Sequence, residues 1–146
     1  MTCKYKNEID QIIIQGNAKV LVETAKDLAK AMVIKKFEKV DEKSSVSTSQ
    51  IRNIYGSSKK IEMTLAEENA EQLYGRLVLL KPKMAYANGR FNKNFGKDRW
   101  KIPGFKVLVD CLSYAIDMVD GKYERMNNFF NFFEAILAYH KAEGGK

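Results

Sequence analysis

Lys81, Lys83, Arg90, Lys93, Lys97, Arg99, Lys101 and Lys106 crowd into residues 81–106, where Asp98 is the one acid. The net charge of that segment, +7, equals the formal charge of the whole 146-residue chain, so the other residues sum to zero. Tyr86, Phe91, Phe95, Trp100 and Phe105 are interleaved with the bases. Cations neutralise phosphates and flat rings offer stacking faces, the pairing that a single-stranded nucleic-acid surface requires. The same composition suits a solvated lysine-rich loop whose rings reach into a core, and composition leaves both readings open.

Other residues imitate chemistry without supplying it. Gly89 and Gly96-Lys97 suggest a phosphate loop, but six residues separate the glycines where four are needed. Asp98 stands where a Mg²⁺-binding Ser or Thr belongs, and no strand precedes the segment. His140 is the single histidine, and Cys3 and Cys111 are the two cysteines. One subunit can therefore assemble neither a zinc site nor a Ser-His-Asp or Cys-His arrangement. His140 reads instead as a residue at a helix C-terminus, where the dipole favours a partly cationic imidazole. Glu62, Glu67, Glu68 and Glu71, like Asp110, Asp117 and Asp120, read as solvated helix faces with basic partners rather than as a Mg²⁺ site. No catalytic residue, metal or cofactor is expected.

The elements that must carry the basic segment are helices. With 45% hydrophobic and 29% charged residues, two prolines and nine glycines, the chain predicts one helical domain over residues 1–146. The fold class expected is an all-α bundle of five to six helices. No apolar run approaches the ~20 residues of a membrane span, and MTCKYKNEID lacks the apolar core of a signal peptide. The two cysteines suggest no disulfide framework, which together with the missing signal predicts a reducing cytoplasm.

Ile9, Ile12 and Ile13 predict a short helix ending near Gly16. Ala18, Leu21, Ala25, Leu28, Met32, Val33 and Phe37 predict a long amphipathic helix over 18–40. The serine-rich stretch 41–49 reads as a loop, and Ser47 with Gln50 forms a capping box for a helix carrying Ile51, Ile54, Tyr55 and Ile61, with Gly56 as a weak point. Thr64 and Glu67 repeat that spacing before Leu65, Leu73, Leu77 and Leu80, and Pro82 is expected to kink or end the helix, leaving 83–88 as a continuation. Residues 89–103 read as irregular. A helix from Phe105 to Val119 and another over roughly 123–141 close the chain, and no strand is expected. The last helix is apolar nearly all round, so it lies either at the centre of its own bundle or against another subunit.

Three stretches, STSQIRNI at 47–54, LLKPKMAYANGR at 79–90 and FFNFFEAILAY at 129–139, resemble in order and spacing the small subunit of the type III-A CRISPR (Csm) effector complex. The resemblance spans roughly residues 45–145. It implies a small, all-helical, non-catalytic protein present in several copies that stack head to tail along the groove holding guide RNA and target RNA. Its implied partners are those RNAs, the other Csm subunits and further copies of itself. Matched residue by residue, Arg52, Lys81, Lys83 and Arg90 become contacts to the RNA backbone. Lys93, Lys97, Arg99 and Lys101 are RNA-binding candidates on charge alone. A subunit that tracks any guide–target pairing contacts phosphates rather than base edges. With ~3–4 phosphate contacts, one copy binds weakly and salt-sensitively, and stacked copies gain by multivalency.

Three other readings use the same residues. One is a helical RNA- or DNA-binding protein outside CRISPR. Another is an adaptor whose basic face meets an acidic partner and whose Phe-rich helix docks. The third is an enzyme whose active site is shared between subunits.

Overall fold

Apolar residues at three- and four-residue steps require helices that each bury one stripe. The computed structural model describes residues 3–40, 47–92 and 103–145, with backbone alone at 88–92 and 103. Among these residues it forms α1 (Lys6–Ile13), α2 (Ala18–Met32), a hairpin of β1 (Lys35–Lys36) and β2 (Lys39–Val40), α3 (Thr48–Thr64), a 3₁₀ turn (Glu67–Asn69), α4 (Ala70–Val78), α5 (Leu80–Asn92), α6 (Pro103–Val119) and α7 (Tyr123–Ala142). The expected all-α bundle is what forms. Among the described residues, no helix is long and apolar enough to cross a membrane.

The Phe-rich α7 lies at the centre. Phe129, Phe132, Phe133 and Ile136 are fully enclosed, and α7 packs on α1, α2, α3, α4 and α6. Phe133 meets Tyr55 edge-on at 5.3 Å between centroids, and Phe129 at 6.1 Å. Each enclosed phenyl ring contributes about 2–3 kcal/mol through burial alone. The closest partnership is with α2. Asn128 Nδ2 donates to Ile13 O at 3.0 Å, at the turn leading into α2. Beyond the other end of α2, Val40 lies beside Gly144, just past α7. The two helices therefore start at one end of the bundle and finish at the other.

Several local expectations hold. Ser47 Oγ accepts from Gln50 N–H at 3.2 Å while Ser47 N–H donates to Gln50 Oε1 at 2.7 Å, closing the capping box of α3. The first helix buries Ile9, Ile12 and Ile13 and turns at Gly16. Others need correction. The helix expected over 18–40 stops at Met32, where β-branched Val33 moves into extended backbone. The chain then makes a two-residue hairpin, with Phe37 and Glu38 both left-handed at φ 54° and 66°. Phe37, expected to point inward, is 99% exposed. Thr64 does not open a helix: it ends α3, and Asn69 Oδ1 accepts from Ala66 N–H at 2.8 Å instead. Pro82 neither kinks nor ends its helix. It stands in the first turn of α5, where a missing N–H leaves no bond unmade, and the break falls earlier, at Leu79.

The expectation that the cysteines stay unpaired is also overturned. Cys3 and Cys111 form a disulfide across 108 residues, with Cα atoms 4.8 Å apart. The pairing follows from α1 lying along α6, where Tyr114 O–H donates to Asp10 Oδ1 at 2.6 Å one turn beyond Cys111. At the far end, α7 closes in a Schellman turn: Gly144 N–H donates to Lys141 O and Gly145 N–H to His140 O, with Gly144 at φ 90°. His140 does stand in the last turn of α7, and its ring is fully enclosed under Gly145.

Candidate nucleic-acid interface

The sequence KPK places two lysines two residues apart, about 200° around a helix, so they cannot serve one surface. Lys81 turns toward α6 and pairs with Asp117. Lys83 turns toward α3, where its Nζ donates to Ser57 Oγ at 2.9 Å. Leu80 and Met84 fill the core beneath. The buried Leu80/Met84 pair, rather than Pro82, fixes this geometry.

On the Lys83 side, Ser57, Lys60 and Ile61 of α3 sit at i, i+3 and i+4 and face Arg76, Leu79 and Lys83 across a groove of about 460 Å³. Lys60, Arg76 and Lys83 therefore converge from three helices. Among the described residues, no carboxylate lines the groove. Lys59, one residue before Lys60, is already paired with Glu62 at 3.1 Å, and that bond holds its amine charged to a higher pH than usual. Leu79, 64% exposed, gives the groove an apolar lip. Tyr86, one turn beyond Lys83, is 73% exposed. Across the break at Leu79 the residues Arg76, Leu79, Lys83, Tyr86 and Arg90 follow each other in sequence at steps of three and four, so bases alternate with apolar or aromatic residues from α4 into α5. That alternation suits a phosphate backbone flanked by exposed bases.

The structure thus separates the residues singled out in the sequence. Lys83 lines the groove, and Arg90 follows it by two turns in register. Lys81 is engaged with Asp117, a surface pair of the kind worth about 0–1 kcal/mol and so readily exchanged for a phosphate. Arg52 is exposed on α3 but does not line the groove. Lys93, Lys97, Arg99 and Lys101 lie outside the described residues. Of the rings, Phe105 is core and Tyr86 is exposed, so the two readings of the basic segment each describe part of it. Lys60 and Arg76 were missed because both precede the charge-dense stretch. The signal for Arg76 was the three-four stripe, hidden by treating Pro82 as a break; Lys60, on α3, had none. Among the described residues, no group of three or more His, Cys, Asp or Glu is placed to hold a metal ion.

A family model for Csm2 Type III-A matches residues 15–146. The chain belongs to the Csm2 Type III-A family. As a Csm2-family chain it is a small subunit of the type III-A CRISPR effector complex. The match takes in α2 and the hairpin, which the resemblance read from residues 45–145 had left out. No curated protein and no solved structure matches this Csm2-family chain.

Proposed function

We propose that this Csm2-family subunit is non-catalytic and binds the backbone of the guide–target RNA through the groove between α3 and the α4–α5 junction, in several stacked copies in the cytoplasm. The observation that carries the reading is the convergence of Lys60, Arg76 and Lys83 on one groove without a carboxylate among its lining residues. Arg52 and Arg90 extend the track on either side, Lys81, on the other side of α5, reaches a separate phosphate by giving up Asp117, and Lys93, Lys97, Arg99 and Lys101 add contacts from the segment that follows α5. Tyr86 supplies a ring on which a splayed base stacks. Working as one helical unit, each copy grips a few phosphates, and the array supplies the affinity.

The test is RNA binding by the purified chain across a salt series. Lys60→Ala/Arg76→Ala/Lys83→Ala should weaken binding of any single-stranded RNA sequence alike, and should make the slope of log K against log salt shallower by about two. A folded triple variant with unchanged affinity and slope would remove the groove from the interface.

A further inference from the structure

The two ends of the α2/α7 pair carry surfaces that complement each other. At one end the hairpin presents Phe37 at its tip, 99% exposed, beside exposed Glu38, with exposed Lys35 and Lys39 on opposite faces of the ribbon leaving base in excess. At the other end a groove of about 640 Å³ opens between the 3₁₀ turn, the start of α4 and the α6–α7 turn. Glu67, Glu68, Glu71 and Glu124 line it. Its two bases leave acid in excess, and Arg125 is drawn away to the Met118 carbonyl at 3.1 Å. Ile14, 44% exposed, and Tyr123 provide an apolar portion able to admit a phenyl ring.

The groove belongs to the end where α2 and α7 begin, since Ile14 precedes α2 and residues 121–125 lead into α7. The hairpin belongs to the end where both finish. A helix of 20 residues separates the two by about 30 Å, so a copy cannot satisfy its own groove. Complementary patches at opposite ends make a heterologous contact, and repetition of that contact makes a line of copies.

We infer that the hairpin of one copy docks in the acidic groove of the next, Phe37 entering against Ile14 and Tyr123 while Lys35 and Lys39, on opposite faces of the ribbon, meet the glutamates of the groove's two sides. The inference rests on the stacking reading above and names the two surfaces that stack. The ring supplies apolar burial, and the charges set register and direction.

Sedimentation of the full chain tests it. The native protein should gain mass with concentration. Phe37→Asn, which keeps a residue tolerant of left-handed backbone, should lower the association constant by roughly tenfold or more. Two charge-reversed chains, Lys35→Glu/Lys39→Glu and Glu67→Lys/Glu71→Lys, should each be monomeric alone and should associate when mixed, because each then offers the other a matching surface. A photoreactive phenylalanine at position 37 should crosslink to residues 67–71 or 121–125 of a second copy. A mixture of folded charge-reversed chains that stays monomeric would overturn the inference, as would a native chain monomeric at every concentration, or crosslinks that go to RNA or to another face. RNA binding separates this outcome from the backbone reading: Phe37→Asn should leave the salt slope of a single copy intact, and Lys60→Ala/Arg76→Ala/Lys83→Ala should leave self-association intact.

Discussion

Tyr114 shows how one hydroxyl couples packing to pH. Its O–H donates to Asp10 Oδ1, and that bond, with burial and the nearby carboxylate charge behind it, pushes the phenol from its ordinary 10.0 up to about 12. The folded state therefore prefers the protonated ring, so this contribution is complete below pH 10 and is lost as pH rises toward 12. Denaturant melts should show stability falling across that window, and Tyr114→Phe should flatten the fall. Phe133 makes the opposite sort of contribution, independent of pH. Its ring is enclosed and touches Tyr55 and Phe129, so Phe133→Ala should cost about 3–5 kcal/mol, read as a lower denaturation midpoint with unchanged slope. Gly145 is fixed by its neighbour rather than by backbone conformation: a Cβ there would lie 2.1 Å from His140 Cε1. That residue had no sequence signal, because the constraint comes from an imidazole five positions away in the chain.

At the scale of elements, capping and turn chemistry decide where helices begin and end. Ser47→Ala removes the side-chain acceptor of the α3 capping box and should lower stability by about 1 kcal/mol in a thermal melt. The hairpin turn has the reverse defect, since Phe37 and Glu38 occupy left-handed backbone that Asn and Gly adopt far more readily. Replacing the pair by Asn-Gly should raise stability by about 1 kcal/mol while lowering the association constant roughly tenfold, which separates the ring's docking role from any role in folding. These elements also show what the sequence made legible. Three-four periodicity located the cores of α1, α2, α3, α4 and α6, and the Ser47/Gln50 box was read correctly because a capping box is local. The end of α2 was not, because Val33 is buried both in a continuing helix and in the extended chain that replaces it. Pro82 misled for a positional reason: proline breaks a helix interior but is tolerated in a first turn, and only the break at Leu79 makes position 82 a first turn. The groove was half legible. Lys83 stood in the basic segment, whereas Lys60 joins it only once α3 packs on α5.

At the scale of the molecule, the Cys3–Cys111 bond closes a loop of roughly a hundred residues around α1 to α6. Reduction, or Cys111→Ser, should lower stability by about 2–4 kcal/mol and the melting temperature by roughly 10 °C, compared by calorimetry with and without reductant. Two isolated cysteines gave no sign of this, because their meeting depends on α1 finding α6. The position of α7 has a consequence of a different kind. The helix at the centre of the bundle follows α1 to α6 in the chain, so during translation α2 and the faces around it wait without their main partner. At ~5–20 residues per second that wait lasts seconds for the earliest helices. A stop codon before residue 123 should therefore yield a polypeptide that is captured by chaperones and degraded rather than a smaller stable domain.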